Sequence, residues 1–321
     1  MAHAELEVCL YELGDSVLAR EHFEQGITLY DPQQHRSLVL LYGQDLGVYC
    51  HGLGASVLWC LGYPAQALKS AREALTLARR LSHPYTLAYD LLHVAMFYQL
   101  RREALAVQEL AEEAIALATE HGFHLISAWV AIFRGWALAK QGEAAEGIAQ
   151  MRQSLAAFRA TGAGVGLPLY LSLLAEACGK VGQVEEGLTL LAEALATVDK
   201  TEERFYEAEL YRLKGELLLQ QENQKAKVKE QKSKIETDPR SLMPDAQGKT
   251  EACFLKAMEI AKKQQAKSLE LRTVMSLSRL WQTQGKKAEA RRMLAEIYGW
   301  FTEGFDTKDL QEAKALLDGL S

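Results

Sequence analysis

The stretch AREALTLARRL, residues 71–81, returns in altered form three more times: as AEEAIALATEHG (111–122), MRQSLAAFRATG (151–162) and LAEALATVDKTE (191–202). The apolar position that all four share falls at Leu75, Ile115, Leu155 and Leu195, with a step of 40 residues each time. Within each stretch, apolar residues recur at the three- and four-residue intervals of one helix face. A fixed period of this length predicts an array of stacked helical units.

Each unit contains a second helix upstream of the shared position. Twenty residues before that position lies a small residue, and the series continues at the same step: Ala55, Ala95, Gly135, Ala175 and Gly215. Turn signals such as CLGYPA (60–65) and KQGEAA (140–145) separate the two helices. A small residue in helix A allows helix B to approach closely, which is the logic of the tetratricopeptide repeat (TPR), whose usual unit has about 34 residues. The sequence therefore predicts an all-α, TPR-like solenoid with a longer repeat.

The same register extends toward both ends of the chain. Ile27 marks the helix B of an earlier unit, and Met258 and Tyr298, which are again 40 apart, mark two later units. The step from Leu195 to Met258 is 63, which indicates an insertion of 23 residues within a normal step. About seven helix pairs result. The first pair is incomplete, because its helix A would begin before Met1, which indicates either a chain cut from a longer protein or a naturally short first helix.

The insertion and the C-terminus have compositions of their own. Residues 223–245 are rich in lysine, carry two prolines and lack aromatic residues, which predicts a flexible loop within the sixth pair. Residues 306–320 carry one apolar stripe and predict a helix that caps the last pair, with Asp306 as its N-cap. Trp300 and Phe301 are expected to anchor this cap.

Several of these stretches carry a family resemblance that covers the chain from about residue 45 to its end: LWCLGYPAQAL, RGWALAKQGEAAEGI, AELYRLKGELLL, QQAKSLELRTVMSLSRLWQTQGKKAEAR and YGWFTEGFDTKDLQEAKALL. They resemble the C-terminal TPR region of large bacterial signalling proteins, in which a class III adenylate/guanylate cyclase domain and an AAA-type ATPase domain precede the repeats. The resemblance implies a right-handed superhelix and a regulatory or partner-binding module. It does not imply cyclase activity, because the cyclase aspartates and the ATPase phosphate-binding loop would lie upstream.

Composition excludes several other classes of protein. The net charge is -6, so the chain lacks the basic character of nucleic-acid-binding proteins and of proteins that bind anionic membranes. No apolar stretch approaches the roughly 20 residues that span a bilayer, and the N-terminus lacks the pattern of a signal peptide. The five scattered cysteines predict free thiols, and together these features favour a cytoplasmic location.

Motifs for catalysis and for cofactors are not supported by their surroundings. Gly248-Lys249-Thr250 has the ending of a phosphate-binding loop, but Met243 stands where its first glycine is needed and no buried strand precedes it. We interpret this tripeptide as the exit from the insertion, with Thr250 near the start of a helix. His121 and His124 flank Gly122 at a turn, which argues against a shared metal ion. We therefore predict no catalytic residues, no cofactor and no metal site.

Candidate binding residues lie in helix A, whose exposed face lines the concave groove of TPR proteins. Six residues before each small residue stands a column that begins Tyr49, Tyr89, Trp129, followed by Leu169 and Glu209. This column, together with Trp136, Arg212 and Arg272, provides the candidate partner-binding residues, because aromatic residues and arginine dominate the binding energy of interfaces. The alternative is that the three rings pack between successive A helices and that the two arginines are plain surface charges.

Two functions are compatible with these features. The first is a non-catalytic scaffold for signal transduction that presents a concave groove to a peptide or to a partner domain. The second is a regulatory sensor that binds a small molecule or its own upstream ATPase and cyclase domains. An open groove would favour the scaffold, whereas a compact pocket with converging arginine and tryptophan side chains would favour the sensor. The sequence indicates no particular oligomeric state.

Overall fold

A computed structural model of the chain describes residues 2–232 and 244–320, and these residues contain helices and no strand. Seven antiparallel pairs succeed one another, each with a helix A and a helix B: α1 (Ala2–Glu12) and α2 (Ser16–Leu29), α5 (Leu46–Cys60) and α6 (Pro64–Leu81), α7 (Pro84–Leu100) and α8 (Ala104–His121), α9 (His124–Gln141) and α10 (Ala144–Ala160), α11 (Leu167–Lys180) and α12 (Val184–Thr201), α13 (Glu207–Lys232) and α14 (Pro244–Lys263), α15 (Lys267–Thr283) and α16 (Lys287–Tyr298). Two one-turn helices, α3 (Pro32–His35) and α4 (Val39–Tyr42), link the first two pairs, and α17 (Lys308–Gly319) ends the array. The prediction of a TPR-like, right-handed solenoid of seven pairs with a terminal helix is confirmed.

The turns between the helices of a pair follow the predicted glycine signals. Gly62 has φ 89°, and Gly142 has φ 107°, a left-handed conformation that glycine adopts without steric penalty. In the third pair this place belongs to Arg102, which takes φ 64° without being a glycine. Its side chain forms two ion pairs with the terminal helix, with Asp309 and with Glu312, both at 3.0 Å.

The small residues of helix A lie where the two helices of a pair touch. A Cβ atom on Gly135 would stand 2.8 Å from the carbonyl oxygen of Gly147 in helix B, closer than real Cβ atoms come. Ala55, Ala95 and Ala175 are fully buried. The prediction that small residues permit this close approach is confirmed.

Several boundaries differ from the predicted ones. Helix α14 begins at Pro244 rather than near Thr250, because proline is favourable in the first turn of a helix. Thr307, not Asp306, is the N-cap of α17, and its hydroxyl donates to the carbonyl of Gly304. Within the predicted insertion, residues 223–232 continue helix α13 and residues 233–243 lie outside the described residues. The flexibility of the insertion stays a prediction.

The solenoid is wound so tightly that pairs five steps apart touch. Pair 1 meets the link that leads into pair 6, where the backbone amides of Arg204 and Phe205 donate to the carbonyl of Glu12 at 2.6 and 3.2 Å. Pair 2 meets pair 7 where the hydroxyl of Ser268 donates to the carbonyl of Trp59 at 2.5 Å. One superhelical turn therefore takes about five pairs.

Pair 3 meets the terminal helix α17, which takes the place of an eighth pair, through an ion pair of Arg102 with Asp309 at 3.0 Å. Trp300 also belongs to this closure, because its ring lies 5.6 Å from Tyr63 of pair 2. Trp300 also packs edge-on against Phe301 at 5.4 Å, and Phe301 shares a core cluster with Leu310 of the terminal helix. That Trp300 anchors this helix stays a prediction. Winding of this kind leaves a narrow concave channel, lined by A helices, in place of an open groove.

Candidate functional site in the concave channel

One position of the repeat faces the channel in every pair from 2 to 7, and its residue type changes from aromatic to charged along the channel. The column that starts at Tyr49, Tyr89 and Trp129 continues through Leu169 and Glu209 and, after the 63-residue step, reaches Arg272. A second column, seven residues further on in each helix A, contains Trp136, Glu176, Glu216 and Arg279. We call the part of the channel in pairs 2 to 4 the aromatic half and the part in pairs 4 to 7 the ionic half.

In the aromatic half, the rings of the column contact one another between successive A helices. Tyr49 and Tyr89 stack with centroids 6.2 Å apart, and Trp129 meets Tyr89 edge-on at 6.2 Å. Trp129 also lies 5.8 Å from Phe158. All three column rings are half-buried, and the indole N–H of Trp129 is buried without a hydrogen-bond partner. The column thus packs as the alternative interpretation expects.

Buried carboxyl groups without partners accompany these rings. Asp90 is 3% exposed, neither of its oxygens is hydrogen-bonded, and it shares a void of about 10 Å³ with Tyr49, Tyr89 and His93. Burial raises the pKa of the Asp90 carboxyl well above its ordinary value and lowers the pKa of His93 to about 4. His93 is therefore neutral near pH 7, burial favours the protonated form of Asp90, and the void has room for about one water molecule.

Glu12 stands where pair 1 closes on pair 6. Burial, and then the carboxylate of Glu203, raises the pKa of Glu12 to about 8. Glu203 itself accepts a hydrogen bond from the backbone amide of Gly166 at 2.9 Å. One proton is therefore held at this junction near neutral pH, because two buried carboxylates repel each other.

In the ionic half, the polar groups are paired with one another. The indole N–H of Trp136 donates to Glu176 at 3.1 Å, and the ammonium of Lys140 binds the other oxygen of that carboxylate. Burial alone would raise the pKa of Glu176, but Lys140, Trp136 and then Arg212 outweigh it and lower this pKa to about 2. Trp136 is 1% exposed, so this hydrogen bond lies in the protein interior.

Arg212 is the centre of a second group. Its guanidinium donates to both oxygens of Glu209, at 2.8 and 2.7 Å, and to the hydroxyl of Ser276 at 3.2 Å. Ser276 in turn donates to Glu216 at 2.6 Å. Burial lowers the pKa of Arg212, but the carboxylates of Glu209 and Glu216 more than offset this effect, so the pKa is raised and the side chain stays charged.

Arg272, in pair 7, joins pairs 2 and 3 to the terminal helix. Its guanidinium donates to Asp309 of the terminal helix at 2.8 Å and to the carbonyl of Leu100 in pair 3. It also lies 4.6 Å from the ring centroid of Trp59 in pair 2, a cation–π contact. Arg272 and Asp309 have side chains that are 6% and 8% exposed, so this is a buried ion pair. The guanidinium is therefore part of the structure and is not a plain surface charge.

These groups surround a cavity of about 150 Å³. Its lining comes from pairs 3 to 7 and the terminal helix, and includes Trp136, Arg212 and Arg272. Arg279, whose side chain is 48% exposed and 3.6 Å from Glu312, lies on the exposed side of the lining. Every charged side chain of the lining has a partner of opposite charge. A ligand must therefore offer both donors and acceptors, or exchange with one of these pairs.

The cavity thus unites three of the six predicted residues, Trp136, Arg212 and Arg272, while Tyr49, Tyr89 and Trp129 lie in the aromatic half. Sequence reasoning missed Lys140, Glu176 and Asp309. The 40-residue step from Trp136 to Glu176 was a usable signal, since it places both on the same repeat position. Asp309 had no such signal, because it belongs to the terminal helix and not to a repeat.

The remaining motifs occupy ordinary structural positions. His121 ends α8, Gly122 caps it in a left-handed conformation, and His124 begins α9. Gly248-Lys249-Thr250 lies inside α14. Among the described residues there is no group of three or more histidine, cysteine or carboxylate side chains arranged to hold a metal ion. None of the helices in that part of the chain combines the length and the apolar character needed to cross a membrane.

Comparison with known proteins agrees with this fold. The tetratricopeptide-repeat family model matches residues 128–153, in α9 and α10. An uncharacterized protein of Rhizobium meliloti (strain 1021) is 25% identical over 244 residues, which are 75% of this chain and 23% of that protein. The chain thus spans about a quarter of the length of this curated relative.

Two solved structures are similar over nearly the whole chain. The apo form of RapI superimposes with a TM-score of 0.54 at 10% identity, covering 99% of this chain and 98% of RapI. A signal transduction ATPase with numerous domains (STAND) from Pyrococcus horikoshii, which has a TPR sensor, gives a TM-score of 0.49 at 13% identity, covering 95% of this chain and 44% of that protein. At these identities the similarity concerns the fold. A TPR-type fold supports a role as a protein-interaction scaffold.

Proposed function

We propose that this chain is a non-catalytic interaction scaffold that recognises its partner at the ionic half of the concave channel. The observation that carries the proposal is the convergence of Trp136, Arg212 and Arg272 on one cavity. Tryptophan and arginine are the residue types on which binding energy concentrates at protein interfaces. The cavity of about 150 Å³ has the size of one large side chain, so we expect a single side chain or a chain end of the partner to enter it.

The partner that we favour is an upstream domain of the same signalling protein. The resemblance to the TPR region of cyclase and ATPase proteins motivates this choice. The length of the Rhizobium relative, of which this chain spans 23%, leaves room for such domains in that protein. An intramolecular partner is compatible with a small cavity, because a tethered domain is present at high effective concentration and needs few contacts.

A second candidate is a sensor for a small polar molecule, and the compactness of the cavity favours it. Arg272, Asp309 and Arg102 line or adjoin the cavity and also join pairs 2 and 3 to pair 7 and the terminal helix. A ligand held among them would stabilise the closed superhelix over an opened one. Such coupling would transmit occupancy of the cavity to whatever is attached to the chain.

A paired capture experiment separates these functions. The bait is the full chain, and the variant is Arg279→Glu, which reverses a charge at the cavity. It removes only the exposed ion pair of Arg279 with Glu312, and Glu312 keeps Arg102 as a partner. Arg291→Glu, at an exposed position in α16, is the control with the same change in charge. We expect a partner, identified by mass spectrometry, that binds the parent and the control but not Arg279→Glu.

A thermal-shift screen of polar metabolites on the same three proteins tests the sensor. A metabolite that raises the Tm of the parent and the control, but not that of Arg279→Glu, would favour the sensor over the scaffold. If neither experiment distinguishes Arg279→Glu from Arg291→Glu, the cavity is not the recognition site and the proposal fails.

A further inference from the structure

On the outer face of the solenoid, ion pairs at a fixed register join two sets of neighbouring B helices, α6 with α8 and α10 with α12. Arg79 of α6 binds Glu113 of α8 at 2.9 Å, and Arg152 of α10 binds Glu186 of α12 at 2.6 Å. Arg159, two helical turns further along α10, binds Glu193 of α12 in the same manner. In each pair the glutamate follows the arginine by 34 residues. The register therefore tells which residue should face any arginine of this row.

One arginine of the row lacks its glutamate. Arg72 stands 80 residues before Arg152, which is two repeat steps, so both occupy the same repeat position. The residue 34 places after Arg72 is Ala106, which has no carboxylate. Arg72 is exposed, and its guanidinium has no partner among the described residues. The same is true of Arg80, two helical turns further along α6.

These two arginines line a groove with a volume of about 630 Å³. The groove follows α6 from Ala65 to Arg80 and also contains the apolar side chains of Leu68 and Leu77. Sixteen residues of helix extend for about 24 Å, which is enough for four turns of a second helix. The lining also holds Lys69, which pairs with Glu73, and the acidic Asp306. Arg101 is buried and pairs with Glu103, so the excess positive charge of the groove rests on Arg72 and Arg80.

We propose that this groove binds an acidic helix of a partner protein, whose glutamates, two turns apart, supply the carboxylates that Ala106 does not provide. The pairing of Arg152 with Glu186 shows the kind of contact that Arg72 lacks. The position equivalent to Arg159 is Arg79, which already binds Glu113, so the second arginine left for the partner is its neighbour Arg80. Leu68 and Leu77 provide apolar area for the partner helix, because exposed ion pairs alone contribute little affinity. The groove lies on the outer face, so this interaction is independent of the concave cavity.

The test measures binding of a fluorescein-labelled helical peptide, with glutamates two turns apart beside leucines, to the full chain by fluorescence anisotropy. The matched peptide has glutamine in place of each glutamate. We expect the Arg72→Glu, Arg80→Glu double variant to raise the Kd of the glutamate peptide at least tenfold. The control is Arg291→Glu, Arg292→Glu, which makes the same charge change on exposed positions of α16 and should change this Kd less than twofold.

A third variant supplies the missing carboxylate within the chain. Ala106→Glu should pair with Arg72, as Glu186 pairs with Arg152, and should raise the Kd at least threefold while both arginines remain. The proposal is overturned if the glutamate peptide does not bind, if the glutamine peptide binds equally well, or if Ala106→Glu has no effect. Equal competition by a nucleic acid or by anionic lipid vesicles would also overturn it, because the groove would then be a general polyanion site.

Discussion

The aromatic half and the ionic half of the channel use the same repeat positions and satisfy them in opposite ways. In the aromatic half, the indole N–H of Trp129 and the carboxyl of Asp90 are buried without partners. In the ionic half, the indole N–H of Trp136 has Glu176, and every charged side chain of the cavity lining is paired. The repeat therefore determines where a side chain stands but not what it does. The ionic half coincides with the junction between pair 3, pair 7 and the terminal helix, where charges on separate elements meet.

The largest effect should come from Arg272, at the centre of that junction. Replacing it by methionine, Arg272→Met, leaves Asp309 buried with only Arg102 for a partner and leaves the carbonyl of Leu100 without a donor. Removal of one member of a buried ion pair typically costs about 3 to 5 kcal/mol, so we expect the free energy of unfolding to fall by about 3 kcal/mol. Guanidinium denaturation followed by circular dichroism measures this change.

The control for Arg272→Met is Arg79→Met, which removes an ion pair whose side chains are 55% and 42% exposed. Exposed pairs contribute about 0 to 1 kcal/mol, so this variant should be nearly as stable as the parent. Equal losses for the two variants would show that the junction does not differ from the outer face.

The junction of pair 1 with pair 6, at Glu12, and the ionic half, at Glu176, should respond to pH in opposite directions. The folded pKa of Glu12, about 8, lies above its ordinary value of 4.5, so the folded state binds the extra proton and stability falls as pH rises from about 4.5 to 8. The folded pKa of Glu176, about 2, lies below that value, so its contribution is lost as pH falls from about 4.5 to 2. Each carboxyl changes the unfolding free energy by at most about 1.4 kcal/mol per pH unit.

Unfolding free energies measured between pH 3 and 9 check these slopes. Glu12→Gln should flatten the fall on the alkaline side, and Glu176→Gln should flatten the fall on the acid side. If Glu12→Gln flattened the acid side, or Glu176→Gln the alkaline side, the pKa shifts assigned to these two carboxyls would be wrong.

The contact between helix A and helix B, which the pairs of both halves share, can be tested at its small residues. In Gly135→Leu and in Ala175→Leu, the new side chain must enter a contact between helices A and B that has no space for it. Overpacking of this kind costs about 1 to 3 kcal/mol, so the Tm of each variant should fall by several degrees. Calorimetry measures this, and an unchanged Tm in either variant would contradict the register of the repeats.

The smallest effects come from the two tryptophans, which compare the halves most directly. Trp136→Phe removes the donor to the Glu176 carboxylate and should cost about 2 kcal/mol. Trp129→Phe also loses ring area, but it removes a buried N–H that has no hydrogen-bond partner, which is favourable. These two effects offset each other, so the free energy of unfolding should change by no more than about 1 kcal/mol. Denaturation curves of the two variants, recorded together, measure the difference. A larger loss for Trp129→Phe would mean that its N–H has a partner, such as a bound water.

Much of the fold followed from local pattern. The 40-residue step located helix pairs, because small residues and turn glycines act between neighbours in sequence, as Gly135 and Gly142 do. The site was harder to predict. Trp136, Arg212 and Arg272 were identified by residue type, but Arg272 meets Asp309 and Leu100 only because the superhelix closes after five pairs. That winding is the sum of small rotations between pairs, and no single residue specifies it.

The contacts between pairs five steps apart also bear on how such an array evolves and unfolds. An open solenoid can gain or lose a repeat at little expense, because each unit touches only its neighbours. Here the removal of one pair would shift Trp59 away from Ser268, Arg102 away from Asp309 and Glu12 away from Phe205, all at once. These contacts therefore constrain the number of helix pairs that the superhelix can have. The chain should unfold as one cooperative block rather than fray from its ends.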